Sequence, residues 1–198
     1  MRTLTFCCLF IVFLFNSSTI LAQQTHIVSA GVQMDEFSEF YDNMYLSFLS
    51  YGYETKSWTS IVKLNYTDRF QKTGLQLDLE AYHKFKSGKY LYLGYAYSGS
   101  ELFPQNRAGA ELFVPFMKKW EWSAGLRFLN FSTGTSTLFY TGSISWYYKS
   151  YLFSFRPYII PAGDKLAGSL NFSARKYLNS TDSFGIRLGI GSSADERI

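Results

Sequence analysis

The sequence predicts an all-β protein, an antiparallel up-and-down transmembrane β-barrel, and three observations carry that expectation. Beyond residue 24, segments of roughly 8–13 residues alternate apolar and polar side chains, turn, and alternate again. Asn65, Asp78, Glu111, Arg127, Arg156, Arg175 and Arg187 fall on one parity of these segments, while Leu, Ile, Phe, Tyr and Trp crowd the other. Successive side chains of a strand point to opposite faces, so one face is greasy and the other charged. Beyond the N-terminal region, no apolar run approaches the ~18 residues of a spanning helix, so this chain would cross a membrane only as a closed sheet. A soluble sheet buries its greasy face against a second layer. A membrane barrel turns that face to lipid and keeps its charges in a wet interior.

The first element is a targeting segment. Arg2 supplies a positive start, Leu4–Phe15 is an apolar stretch of secretory-signal length, and Ala22 is a cleavage position before Gln23, with Gln23 itself an alternative because Ile20 is unusual there. The expected organisation is therefore a signal peptide over 1–22 and one barrel domain over 23–198. Cys7 and Cys8 lie inside the apolar stretch, where neither serves as a lipoprotein cysteine, and both leave with it. The exported chain then has no disulfide to lean on, unlike small secreted domains.

Eleven strands follow, over roughly 26–36, 43–54, 57–69, 73–84, 89–97, 107–115, 119–131, 136–148, 151–160, 166–177 and 183–192. Turn chemistry separates them at Ser87-Gly88, Pro104-Gln105-Asn106, Gly134, Pro161-Ala162-Gly163-Asp164 and Asn179-Ser180-Thr181-Asp182. A two-residue hairpin closed by Phe70-Gln71-Lys72-Thr73 would set Lys63 opposite Glu80, Asn65 opposite Asp78, Val62 opposite Ala81, Leu64 opposite Leu79 and Tyr66 opposite Leu77. Both faces then match in kind, and a one-residue slip would mix them. Strand seven alternates Trp120, Trp122, Ala124, Leu126 and Phe128 with Glu121, Ser123, Gly125, Arg127 and Leu129. Strands nine to eleven repeat the pattern, with Arg156, Arg175 and Arg187 on the polar side. Strand five, with Tyr90, Leu91, Tyr92 and Leu93, is apolar on both faces, and the expectation is that it packs against an inward loop. Trp58, Phe70, Phe85, Phe103, Trp120, Phe131, Tyr147, Tyr148 and Tyr177 fall at strand ends, where membrane girdles sit. A β-sandwich core also uses alternating aromatics, and it is the soluble alternative.

These residues also carry a family resemblance. Tyr66-Thr67-Asp68-Arg69-Phe70, Gly74-Leu75-Gln76-Leu77, Glu80-Ala81-Tyr82 and Tyr90-Leu91-Tyr92-Leu93-Gly94-Tyr95 come in that order. Leu102-Phe103-Pro104, Arg107-Ala108-Gly109-Ala110-Glu111-Leu112-Phe113, Gly125-Leu126-Arg127-Phe128 and Tyr140-Thr141-Gly142-Ser143 continue it. Phe155-Arg156-Pro157-Tyr158, Ser173-Ala174-Arg175-Lys176-Tyr177 and Gly191-Ser192-Ser193-Ala194-Asp195-Glu196 complete it. The whole resembles the YaiO-type outer-membrane β-barrel family over nearly all of the exported chain. Each piece is weakly specific; their order carries the likeness. The resemblance implies a barrel in the outer membrane of a Gram-negative bacterium, with outer-membrane lipid and the barrel-assembly machinery as partners. It carries no catalytic residues over. Barrels of this type end in a strand with an aromatic C-terminal residue, whereas this chain ends Asp195-Glu196-Arg197-Ile198. Bacterial single-chain barrels have even strand numbers, so the expectation is a chain cut short of a 12–14-stranded barrel, or a miscount.

Chemistry-bearing patterns are few. No GxGxxG, P-loop, CxxC or HExxH pattern occurs, and neither cofactor nor metal is expected. His83, which the hairpin register sets opposite Ser60, could form a lipid-facing Ser–His pair, but no neighbouring outward carboxylate is in place to orient it. Asp35, Glu36 and Glu39 form an acidic patch read as a solvated loop, since the Gly-centred spacing of a calcium loop is missing. Beyond the signal segment, four Asn-x-Ser/Thr sequons, at Asn65, Asn130, Asn171 and Asn179, read as polar strand and turn positions. The basic residues form no run, so nucleic acid is not an expected partner despite the net charge of +4.

The lumen-facing candidates are Lys63, Asn65, Arg69, Asp78, Glu80, Arg107, Glu111, Glu121, Arg127, Arg156, Arg175 and Arg187. They make a mixed, slightly basic interior: either an ion-pair network that plugs a small barrel, or a solute path with mild anion preference. The functional expectation is a non-enzymatic outer-membrane barrel with a structural role, or a role in passage of a solute or envelope polysaccharide. The rivals are an outer-membrane lipid-modifying enzyme and a soluble secreted β-barrel or sandwich that binds a ligand.

Overall fold

The structure, a computed structural model, describes residues 25–35, 44–69, 71–162, 165–179 and 182–191. The expected signal peptide, Phe70, Glu36 and Glu39 of the acidic patch, and the C-terminal residues from 192 onward lie outside the described residues. Eleven strands make one sheet: β1 (Thr25–Asp35), β2 (Met44–Glu54), β3 (Trp58–Arg69), β4 (Lys72–Lys84), β5 (Tyr90–Tyr97), β6 (Asn106–Phe116), β7 (Trp120–Asn130), β8 (Ser136–Tyr148), β9 (Tyr151–Ala162), β10 (Lys165–Tyr177) and β11 (Ser183–Gly191). Each strand pairs antiparallel with the next, in sequence order from β1 to β11, so the topology is up-and-down. Every strand expected from the alternation is present, with no end moved by more than two residues.

The turns explain why the strands stop where they do. Gly88 and Gly134 sit in the left-handed region, at φ +81° and +84°, which a glycine adopts without steric cost. Met117, Lys118 and Lys149 adopt the same region at φ 48°, 55° and 54°, where a side chain is strained. Turn backbones are shared between neighbours at one end of the sheet: Tyr147 N donates to Lys119 O at 2.8 Å and Tyr177 N to Ser150 O at 2.8 Å.

The sheet is built inside out. Asn65, Gln76, Asp78, Glu111, Glu121 and Arg127 are buried, all of them polar or charged. Leu79, Leu93, Leu126, Phe128, Ile144 and Leu170 lie exposed on the opposite parity. An exposed apolar band of this extent is far beyond what a soluble monomer carries. It matches the alternation of membrane strands, apolar outward and polar inward. The wall is concave on its polar side. Lys63 of β3 and Arg187 of β11 line one cavity, and Gln33 of β1 joins Arg175 and Arg187 around another.

Two expectations change. The β3–β4 register differs by two residues from the sequence expectation: Lys63 pairs with Asp78, Asn65 with Gln76, and Arg69 with Lys72, and Gln71 in the connection turns at φ 60°. A two-residue shift preserves the faces, which is why alternation alone could not detect it. His83 accordingly stands opposite Trp58, and Ser60 opposite Ala81. Strand five also needs no inward loop to cover it. Its inward residues Tyr90 and Tyr92 are polar-tipped, and each engages a charged side chain of the interior.

Candidate functional site: the polar interior

Two carboxylates organise the concave face, each only 1% exposed and each held by two cations. Asp78 on β4 accepts from Arg107 Nη2 on β6 at 2.6 Å, and Lys63 Nζ on β3 lies 3.3 Å away. Lys63 also reaches Glu80 Oε1 at 3.5 Å, so the pair expected from sequence forms on the diagonal. Glu80 Oε2 in turn accepts from Tyr82 OH at 3.0 Å. Beside them Asn65 Nδ2 donates to Gln76 Oε1 at 3.3 Å.

Glu111 on β6 is the second centre. Arg127 Nη2 donates to Oε2 at 2.6 Å, and Arg156 Nη1 donates to Oε1 and Oε2 at 2.8 and 2.9 Å. Ser123 Oγ adds a fourth bond to Oε1 at 2.5 Å and lies 2.7 Å from Ser143 Oγ. Arg156 comes from β9 and Glu111 from β6, so this centre ties together strands that share no backbone ladder. Removing charges from water costs several kcal/mol per ion, and only full pairing offsets it, so a carboxylate that accepts four hydrogen bonds from three donors is the arrangement expected there.

Glycines let this pair meet. Glu111 stands opposite Gly125, and Arg127 opposite Gly109, so each long side chain crosses over a residue without a Cβ to reach the other. A Cβ on Gly125 would lie 2.5 Å from Ala110 O and 2.7 Å from Glu111 Cβ. The Arg127 guanidinium also lies 4.7 Å from the Tyr92 ring centre, in cation–π contact. Toward the end of the barrel that carries the β6–β7 turn, Tyr90 OH donates to Glu121 Oε1 at 3.1 Å, and its ring stacks on Phe113 at 4.4 Å.

The remaining candidates are placed as follows. Arg69 Nη1 reaches Met44 Sδ at 3.8 Å. Arg175 and Arg187 stand on β10 and β11 and line the interior cavity with Arg156. The sequence reading placed Ser123 on the polar face and missed Tyr82, Tyr90, Tyr92, Thr141 and Ser143 as interior partners. The available signal was their parity, shared with the charges, together with glycines at the positions facing Glu111 and Arg127. A cavity of about 240 Å³ remains inside, lined by Lys63, Arg107, Arg156, Arg187 and Glu80, with Asp78 and Glu111 buried against the first three cations.

His83 lies on the outer face. Its ring packs on Trp58 and Phe85, both at 4.5 Å, and its Nδ1 is buried with no hydrogen-bond partner. Among the described residues no group of three or more His, Cys, Asp or Glu side chains could hold a metal.

Comparison with curated proteins and with solved structures gives no match. The sequence model of the YaiO membrane beta barrel domain matches residues 25–196, which is most of the chain and includes all eleven strands. An inside-out antiparallel sheet and a match of that extent lead to one conclusion: this chain belongs to the YaiO family of membrane β-barrels.

Proposed function

We propose that the protein is a non-enzymatic barrel of the outer membrane whose ion-paired interior braces the wall and leaves a narrow polar path that favours anions. The observation that carries this reading is the charge around the interior cavity, where Lys63, Arg107, Arg156 and Arg187 outnumber by one the carboxylates set among them, Asp78, Glu80 and Glu111. A ring of basic side chains at a constriction raises the local concentration of anions and repels cations. Anionic solutes, including acidic polysaccharide of the envelope, are the cargo that such a lining suits. Against a Ser–His pair at His83 in particular stands its Nδ1, which has no hydrogen-bond partner where a triad would place an orienting acid.

The test is the reversal potential of the refolded chain in a planar bilayer across a KCl gradient. The expected result is anion preference that falls in Arg187→Ala and Arg175→Ala. Cation preference, or selectivity and polysaccharide export that both variants leave unchanged, would overturn the passage reading and leave a structural barrel.

A further inference from the structure

The two ends of the barrel differ in charge. Lys56 lies in the β2–β3 turn, and Lys84, Lys86 and Lys89 surround the β4–β5 turn. Lys118 and Lys119 form the β6–β7 turn, Lys149 the β8–β9 turn, and Lys176 the end of β10. All eight are exposed and all lie at the same end, where Glu54 and Asp182 are the described acidic residues outside the lumen. Lys84 pairs with Glu54. At the opposite end the described rim carries Asp35, Asp68, Arg69, Lys72, Glu101 and Lys165, which balance.

Aromatic residues mark the same end. All four tryptophans of the chain, Trp58, Trp120, Trp122 and Trp146, face outward near these turns. On the outer wall Trp120 stacks on Trp146 at 5.9 Å, Trp146 on Phe153 at 5.6 Å, and Phe153 on Tyr151 at 6.0 Å, an unbroken belt over β7 to β9. The lysines sit on the rim of this belt. Lys149 Nζ is 5.5 Å from the Tyr148 ring centre, Lys119 Nζ 6.0 Å from the same ring, and Lys176 Nζ 5.6 Å from Tyr151. Indole and phenol rings settle at the level of lipid headgroups. The ammonium groups are therefore held at the height of the phosphates.

Two further observations sharpen this. Lys118 and Lys149 occupy left-handed turn positions that asparagine or glycine would fill with less strain. The connections at this end, 55–57, 85–89, 117–119, 149–150 and 178–182, are all of five residues or fewer, whereas the other end mixes the short 70–71, 131–135 and 163–164 with the two longest, 36–43 and 98–105. Short turns mark the periplasmic side of such barrels. The lysine rim then lies in the inner leaflet, which is built of phospholipid.

From this we infer that the lysine–tryptophan rim is a binding band for anionic phospholipid headgroups, with the tryptophan belt seating the glycerol backbone and the turn lysines pairing with phosphate. The inference rests on the chain lying in the outer membrane as a barrel. It predicts a preference for phosphatidylglycerol over zwitterionic lipid, about fivefold in association for each lysine that engages.

The tryptophans make the test direct, because every one of them reports on this rim. The refolded chain is inserted into phosphatidylcholine vesicles holding an equal small fraction of brominated phosphatidylglycerol or brominated phosphatidylcholine. The expected result is several-fold stronger quenching by the brominated phosphatidylglycerol, a preference that shrinks as salt rises. It also shrinks in the triple variant Lys118→Gln, Lys149→Gln, Lys176→Gln, whose unboiled gel mobility checks folding. Equal quenching by the two lipids, or a preference insensitive to salt, overturns the inference and leaves the barrel standing. Displacement of the brominated phosphatidylglycerol by lipid A at lower concentration overturns the assignment to the inner leaflet. No quenching by either lipid overturns the membrane barrel itself.

Discussion

Replacing Glu111 with glutamine removes the anion that two guanidinium groups share. Arg127 and Arg156, at 8% and 23% exposure, would then face each other across a neutral amide that can accept through one oxygen only. Breaking a buried ion pair by removing one partner costs about 3–5 kcal/mol, because the other charge stays buried without compensation. Arg156 borders the interior cavity, where water screens part of its charge, so the expected loss sits at the lower end, about 3 kcal/mol. The single variants Glu111→Gln and Arg127→Met should also fail to add. Their double variant should recover about 1–3 kcal/mol relative to the sum, since residues in one network couple on that scale. The assay is urea-dependent folding into phospholipid vesicles, with unboiled gel mobility reporting the folded fraction. A Glu111→Gln barrel within about 0.5 kcal/mol of the parent, the range of an ordinary surface substitution, would refute the claim that this centre braces the wall.

Three further outcomes are expected. Leu126→Arg, at a 47%-exposed position on the outer wall, should destabilise the vesicle-inserted barrel by about 2–4 kcal/mol, whereas a soluble sandwich would tolerate an added surface charge, so unchanged stability would argue against a lipid-facing wall. Gly125→Ala should cost about 1–3 kcal/mol in the same urea titration, because its Cβ would meet the backbone carbonyl of Ala110 and no side chain can move aside to relieve it. His83→Ala should leave the lipid composition of expressing cells unchanged and lower stability by about 0.5–1.5 kcal/mol through lost ring contacts with Trp58 and Phe85; an altered lipid profile would revive the lipid-modifying reading.

Strand number, strand limits and the sorting of side chains to two faces were legible in the amino-acid order, because all three follow from a period of two and from turn residues. Arg127 and Glu121 read as lumen-facing without any tertiary knowledge, and both are buried. What parity cannot encode is register in steps of two. Lys63 opposite Asp78 and Lys63 opposite Glu80 put the same kinds of residue on the same faces, and the difference was settled by where the hairpin turned. Nor could parity reveal which charges meet across strands. Arg156 finds Glu111 from three strands away because the sheet curls, and Arg127 reaches it because two glycines clear the way. The tyrosines of strand five were misread for a related reason: a phenol counts as apolar in a pattern, while its hydroxyl becomes a hydrogen-bond donor once a carboxylate stands beside it. Local order thus determined an inside-out strand pattern by itself. The gathering of lysines and tryptophans at one rim follows from the same order, because alternate turns of an up-and-down sheet share an end; the paired centres of the lumen were decided by distances that only the curved sheet creates.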